Sequence, residues 1–381
     1  MQRRTVLTTA AALSLPFFAP RGLAASIRPS DREVLFGQST LLSGPFATVM
    51  QSVNAGANLA FAAVNAVGGV HGRAVRILSL DDELKPERTA TNFRTLQDEH
   101  KVFGYFTALG TANIEAVIPF LHDTGASLIG GYGVSDRVRI AAQGSAYIIR
   151  AGYGREVERI VQHLLSTGVT RIGVAYLATT GGEEILADVR RVLNSGSTEG
   201  ELAGASVIKL DGSNAQEAGR SIAQLKPQAV VMFLGGAPAA AFIQSVLQAG
   251  ARPMFYGMST VPGDRVARAL GKQLQSGLTV AQVVPYPWSD SDPAAREYQQ
   301  LAAKARVEVN YYTYEGYFNA LVLIEALQRA GRALTRPGLH AAMRSLRARW
   351  GSMDVDFTTP GASGSKLVEL VYVTPTGRYV R

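Results

Sequence analysis

Two hydrophobic periods take turns along the chain. The run "EVLFGQST" from Glu33 is apolar, ends in polar residues and reads as a strand. After it, Val49, Val53, Ala57, Ala60 and Val64 recur at helical spacing until Gly68-Gly69 stop the helix. "AVRILSL" predicts a strand, and "KPERTATNFRTLQDE" a helix with Ala90, Phe93 and Leu96 on one face. "VFGYFTA" then leads into "ANIEAVIPFLHDTG", a helix that turns Ile114, Val117, Ile118 and Leu121 inward and carries Pro119 in its interior, where a bend is expected. "SLIGG" is the next strand. The second half repeats the beat: helix 155–168, strand "RIGVAYL", helix 183–194, strand "ASVIKL", helix 215–225, strand "AVVMFLGG", helix 237–250, strand "PMFYGM", a short helix near Val261–Leu270 and strand "GLTVAQVVP". Helices are expected at Pro293–Arg306, Tyr312–Ala330 and Pro337–Arg347, before the closing strands "MDVDF" and "KLVELVYV".

Strands that alternate with helices imply parallel sheets. About ten such units are more than one doubly wound sheet holds, and 381 residues are more than one domain needs, so the expected fold class is α/β with two lobes.

The first 25 residues stand outside this pattern. "MQRRTVLTTAAALSLPFFAPRGLAA" has a paired-arginine start, an apolar run from Val6 to Phe18 and a small-residue exit at Gly22–Ala25. That is a secretory leader, with cleavage expected near Ala24 or Ala25. Arg3-Arg4 leave twin-arginine and general secretory export both open. The run is too short for a stable membrane anchor, which needs about 20 residues. Export predicts a periplasmic protein.

Composition then removes whole classes of chemistry. There is no cysteine, hence no disulfide, thiolate metal site or cysteine nucleophile. The net charge is +8, of which the leader supplies Arg3, Arg4 and Arg21, leaving +5 without any Lys/Arg block, so nucleic acid is not an expected partner. His71, His100, His122, His163 and His340 stand at no metal-ligand spacing. No G-x-S-x-G elbow, H-E-x-x-H helix, Walker A loop or G-x-G-x-x-G turn is present. Asp81-Asp82-Glu83 has no second acidic motif and reads as a turn or hinge rather than a metal site. Tyr311, Tyr312, Tyr314 and Tyr317 read as packing, with one ring available to wall a cleft. Arg344, Arg347 and Arg349 read as the basic end of a helix. No metal and no cofactor are expected.

What remains is a set of small-residue strand exits: Ser39–Pro45, Thr107–Thr111, Gly130–Ser135, Tyr176–Gly182, Gly235–Gly236 and Met258–Thr260. In open α/β sheets ligands bind at the carboxyl ends of strands. Any one exit is ordinarily just a turn, for steric reasons. Together, in an exported two-lobe chain without catalytic machinery, they point to a binding protein for a small solute.

The segment "LLSGPFATVMQSVNAGANLAFAAVNAVGGVHGRAVRILSLDDELKPERTATNFRTL" resembles the opening of the leucine/isoleucine/valine-binding type of periplasmic solute receptor. Its Ser43-Gly44-Pro45 turn, Asn65, Gly68-Gly69, Gly72-Arg73 and Asp81-Asp82 carry the likeness. "FYGMSTVPG", "VVPYPW", "EYQQL" and "YEGYFNALVLIEALQRAG" extend it over nearly the whole mature chain. The resemblance implies a type I periplasmic-binding fold with two lobes, 31–149 plus 283–362 and 150–282 plus 363–381. Three crossings join them, near Tyr147–Arg150, Leu278–Val283 and Leu367–Val373. It also implies a closing cleft and delivery of the solute to an ABC permease of the inner membrane, whose ATPase is a separate chain. A sensing role and an exported α/β enzyme are the alternatives.

By the same resemblance, the junction Thr107–Thr111 holds the ligand's carboxylate, with Ala108 where amino-acid receptors often have serine, so that the grip relies more on Gly110, Thr111 and main-chain donors; Tyr132-Gly133 form the second loop on that side, and Tyr153 reaches over from the other lobe. Ser43, Thr180 and Gly235, at other strand exits, are also expected among the ligand-binding residues. Amino-acid receptors of this type place an acid after the "FYG" strand, to pair with the ligand's ammonium, and an aromatic residue after the "RIGVAYL" strand. Here those positions are Ser259 and Gly181. An unpaired ammonium in a closed cleft costs several kcal/mol, so the ligand is expected not to be simply leucine or valine: a carboxylate, such as an aromatic acid, or another polar organic solute without an α-ammonium, with an amino-acid-like compound left as the alternative. Glu315 is the one residue placed to replace the missing acid, if it turns inward.

Overall fold

The computed structural model describes residues 27–44, 47–195, 200–275, 277–359 and 363–381. The leader and Pro45 lie outside them. In chain order, β1 (Glu33–Thr40), α1 (Ala47–Ala66), β2 (Ala74–Asp81), α2 (Pro86–Asp98), β3 (Gly104–Leu109), α3 (Thr111–Thr124), β4 (Leu128–Tyr132), α4 (Asp136–Ala141) and β5 (Ala146–Tyr147) alternate. Their strands form a parallel sheet in the order β2-β1-β3-β4-β5. The apolar faces foreseen on α2 and α3 are buried on one side of it: Phe93 and Leu96, then Ile114, Val117, Ile118 and Leu121. α3 runs unbroken through Pro119.

The second half continues with α5 (Tyr153–Ser166), β6 (Arg171–Leu177), α6 (Thr180–Ser195), β7 (Glu201–Ile208), α7 (Ala215–Gln224), β8 (Ala229–Phe233), α8 (Gly236–Gln248), β9 (Met254–Gly257), α9 (Gly263–Leu270) and β10 (Leu278–Gln282). Next come α10 (Pro293–Ala305), α11 (Tyr311–Ala330), α12 (Arg336–Arg344), β11 (Arg347–Trp350), β12 (Met353–Asp356), β13 (Glu369–Val373) and β14 (Tyr379–Val380). The second sheet runs β14-β13-β10-β9-β8-β6-β7, parallel except for β13 and β14. Each lobe is therefore a mostly parallel sheet flanked by helices.

The late helices return to the first sheet, because α11 lies along α1. The two cross at glycines: a Cβ on Gly56 would stand 1.7 Å from the Thr313 carbonyl oxygen, and one on Gly316 1.8 Å from that of Val53. Small residues here let the backbones touch, and Val53, Ala57, Ala60, Tyr317 and Ala320 are buried around the contact.

The chain passes between the sheets three times. The first passage follows β5, as expected. The other two expected crossings, at 278–283 and 367–373, are largely β10 and β13, a pair inside the second sheet with Leu278 opposite Val373 and Gln282 opposite Glu369. The passages themselves are the segments beyond those strands. One leads from β10 to α10, and the last precedes β13. That last segment runs beside the first passage, with Gly364 N–H donating to Ile148 O (2.9 Å) and Ser365 N–H to Ile149 O (2.6 Å). Arg347 and Arg349 do not end a helix. α12 stops at Arg344, and both arginines lie on β11, across from Asp356 and Asp354 at 3.6 Å each. Asp81 and Asp82 cap the turn into α2: Asp81 accepts from the N–H of Leu42 and Glu83, Asp82 from Leu84 N–H and the Thr89 and Ser39 hydroxyls.

Candidate functional site

The β3–α3 junction turns at Gly110, with φ +97°, a value that glycine reaches without the Cβ penalty. Its N–H is spent on Tyr132 O at 2.9 Å. The Thr111 hydroxyl donates to Gly133 O (3.2 Å) and accepts from Ser135 N–H (3.1 Å). These bonds tie the exit of β3 to the exit of β4, so the groups first assigned to an anion serve the corner itself. Ala108 packs into the apolar core of the first sheet with Ile114 and Val134. Thr107 is buried with φ +41°, and its carbonyl accepts from Gln38 Nε2 at 2.9 Å.

Beside this corner a charged cluster is sealed between the lobes. Arg150, on the first passage, is 1% exposed. Its Nη1 lies 3.3 Å from Glu315 Oε1 of α11, and its Nη2 lies 3.5 Å from Glu156 Oε1 of α5. Nη2 also donates to the Ser259 hydroxyl. The guanidinium carbon sits 4.5 Å from the centre of the Tyr132 ring, a cation–π contact. Ser259 in turn donates its N–H to Glu156 Oε2 (2.7 Å) and its hydroxyl to Oε1 (2.9 Å). Behind them, Arg139 donates to the carbonyls of Val134, Arg150 and Ala151 and to the Ser363 hydroxyl, clamping the first and last passages together.

Burial governs the protonation of this cluster. It raises the Glu156 and Glu315 carboxyls, against the pull of Arg150. It opposes the Arg150 cation too, but Glu315, Tyr132 and Glu156 outweigh it and hold that group more firmly protonated. It lowers Arg139 to about 10, with Asp136 pulling the other way. Among the described residues, Arg150 Nε and Nη1, the hydroxyls of Tyr132, Tyr153 and Thr107, and Glu315 Oε1 are buried without a hydrogen-bond partner. Leaving such a group unpaired costs about 1–3 kcal/mol, so this concentration marks a place arranged for something else.

The cleft is shut. Arg137 of α4 reaches Glu115 of α3 (2.7 Å) and Glu184 of α6 (3.3 Å) at its rim, and Arg265 of α9 donates to the Thr48 hydroxyl of α1 (2.6 Å). Hollows of about 240 and 370 Å³ open elsewhere, beside Tyr147 and Phe357 and beside Trp288 and Tyr379, and neither reaches Arg150.

Of the residues expected from sequence, the structure brings Tyr132, Gly133, Tyr153, Ser259 and Glu315 together, with Gly110 and Thr111 at the edge. Glu315 does turn inward, but toward Arg150. A Cβ on Gly133 would lie 3.3 Å from the Tyr153 hydroxyl, so the two lobes meet there. Gly181 leaves no vacancy for its missing side chain: a Cβ would lie 3.3 Å from the Thr111 hydroxyl and 3.5 Å from the Tyr153 ring. Ser43 and Thr180 are exposed and Gly235 half-buried, and none of them touches the cluster. Sequence reasoning missed Arg150, Glu156 and Arg139. One signal was present: Glu156 falls on the apolar face of α5, in register with Tyr153, Val157 and Ile160.

A family model described as a periplasmic binding protein matches residues 33–377. No curated protein matches the chain. The fold is similar to that of an extracellular ligand-binding receptor from Verminephrobacter eiseniae (TM-score 0.85, 23% identity, covering 92% of this chain and 100% of that one). It is also similar to a substrate-binding periplasmic protein from Ralstonia solanacearum (TM-score 0.82, 28% identity, 91% and 99%). A third likeness is to a solute-binding protein of an ABC transporter from R. palustris, in complex with benzoate (TM-score 0.77, 16% identity, 91% and 95%). The chain belongs to the periplasmic binding protein family, solute receptors rather than enzymes.

Proposed function

We propose that this receptor is exported to the periplasm, closes on a small organic carboxylate between its lobes, and delivers it to an ABC permease in the inner membrane. The lobes divide as 31–149 plus 283–362 and 150–282 plus 363–381. One observation carries the reading: residues of both lobes converge on a buried cluster in which most of the unpartnered atoms are donors, namely hydroxyls and guanidinium N–H groups. Donors without acceptors suit a solute that brings oxygens. The benzoate in the R. palustris protein speaks only for the capacity of the fold to hold an acid. Closure then follows from mass action. A solute that touches both lobes binds the shut form better and shifts the population toward it.

A thermal-shift screen against amino acids, aromatic acids, aliphatic acids and amides tests this. A solute at 100 times its Kd adds about 2.7 kcal/mol to apparent stability. Acids without an ammonium group are expected to raise Tm. A large shift with leucine and none with such acids would overturn the ligand class, and turnover of any bound solute would overturn the receptor reading.

A further inference from the structure

Resting on the reading of this cleft as a carboxylate receptor, we infer that Arg150 is the anchor of the solute's carboxylate and the residue that shuts out an α-ammonium group. The guanidinium is already committed to groups of both lobes. It stands between the only two fully buried acids of the cluster, at 3.3 and 3.5 Å, and donates to Ser259. A ligand ammonium placed to reach either acid would lie a few ångströms from a second cation in a dry site, where like charges repel strongly. The place that a ligand's positive charge would take is filled by the protein's own.

The two acids are not held alike. Glu156 receives the Ser259 N–H and hydroxyl as well as Arg150. Glu315 has Arg150 alone, and although Nη1 and Oε1 are 3.3 Å apart, both atoms lack a hydrogen bond. The pair is close but misaligned. Nη1 and Nε of Arg150 are vacant donors that point to different sides of the guanidinium, so a carboxylate beside Glu315 meets the N–H groups of Nη1. A solute carboxylate therefore takes the place of Glu315 against Nη1, while the Tyr132 and Tyr153 hydroxyls, both vacant, donate to it.

Charge balance adds a condition. With the solute bound, three carboxylates would face Arg150, with Arg139 of α4 behind it. The groups around Glu315 are Arg150 on the first passage, Tyr132 at the end of β4, Glu156 on α5, and Arg139. Only Glu315 lacks a second partner, and burial already favours its neutral form. It takes a proton from solution as the solute enters and becomes a donor instead of a rival.

The experiment is titration calorimetry on the mature chain with benzoate, phenylacetate and 3-methylbutanoate, their primary amides, and phenylalanine and leucine, from pH 5.5 to 8. The acids are expected to bind at least about tenfold more tightly than the amides, and the two amino acids not at all. Acid affinity should fall as pH rises above the Glu315 value, by up to about tenfold per unit, with proton uptake visible in buffers of different ionisation heat. Glu315→Gln should flatten that profile and tighten acid binding at pH 8, an effect opposite to that of a structural lesion. Arg150→Lys, which keeps the charge but loses the planar donor group that reaches Ser259 and the solute at once, should weaken acids about tenfold or more. If that variant does not fold, Glu315→Gln and the pH profile decide alone. Binding of leucine or of the amides as tight as that of the acids, weaker acid binding in Glu315→Gln, or no binding by any of the acids overturns the inference. The first two outcomes leave the receptor itself standing.

Discussion

Replacing Gly316 by alanine tests the helix crossing that sets the floor of the cleft. Helix propensity alone favours the change by about 1 kcal/mol, since alanine is the better helix former. The contact opposes it. The new Cβ would stand 1.8 Å from the Val53 carbonyl oxygen, and real Cβ atoms do not come within 3.0 Å of such an atom, so α11 must move away from α1 by about 1.2 Å. The obstacle is backbone and cannot rotate aside. Overpacking costs about 1–3 kcal/mol where side chains can yield, and this site belongs at or above the upper end. The net expectation is a loss of about 2 kcal/mol or more. In a chain this long, each kcal/mol moves Tm by roughly 2 °C, so Tm should drop by roughly 4 °C or more. Urea unfolding followed by circular dichroism reads the loss directly, with exposed Asn58→Ala on α1 as the control, expected within about 0.5 kcal/mol of the parent. Since Glu315 is the preceding residue, solute affinity should fall as well. A Gly316→Ala protein as stable as the parent, or more stable, would mean that propensity rules at this position and that the close crossing is not maintained in solution.

Thr111→Val should lower stability by about 1–3 kcal/mol, because it strands the Ser135 N–H and the Gly133 carbonyl; amide exchange at Ser135 should rise, and unchanged exchange would dismiss the tie. Asp292 caps α10 by accepting from the N–H groups of Ala294 and Ala295 and reaches Ser352 N–H as well, so Asp292→Ala should cost about 1–2 kcal/mol in chemical denaturation. Burial works against that carboxylate, but the bonds from Ser352, Ala295 and Ala294 prevail and hold its pKa below the ordinary value. Its contribution is therefore complete above about pH 4 and is lost as pH falls through the lowered value, and Asp292→Ala should flatten that acid limb. His340 is shifted downward as well: burial depresses it, while its ring bonds to the Tyr147 hydroxyl (2.9 Å) and to Gly125 O (3.2 Å). The unfolded chain then binds the extra proton first, so stability should decline as pH drops below about 6.5, and His340→Gln should remove that slope.

The repeating strand-helix beat was legible because long elements carry many periods. α3 places every foreseen apolar residue inside. β5 and β14 were not, since two residues hold no period at all. β11 was absorbed into a helix although Arg347, Ala348, Arg349 and Trp350 alternate; what makes it a strand is the facing pair Asp354 and Asp356, several residues on. The site shows the same division. Tyr132 and Tyr153 were placed through a resemblance that fixes positions, and Glu315 as a stand-in for the acid that the family's pattern lacks here. Arg150 ends the run "YIIR", which looks like any strand end, and its role depends on three segments far apart in the chain meeting at one point. The Thr111 hydroxyl was foreseen in place but not in use, because sequence does not show that Ser135 and Gly133 claim it first.

The adjacent first and last passages, bonded to each other at Ile148 and Ile149 and clamped by Arg139, act as a leaf spring: such a ribbon flexes across its face far more readily than it twists. Arg150 is mounted on that ribbon, so it stays near the pivot while Arg137 and Glu184 at the far rim sweep the widest arc. An anchor at a pivot exerts little torque. The preference of a solute for the shut form therefore comes from the groups of both lobes that it bridges, to which the rim contacts further out add their share.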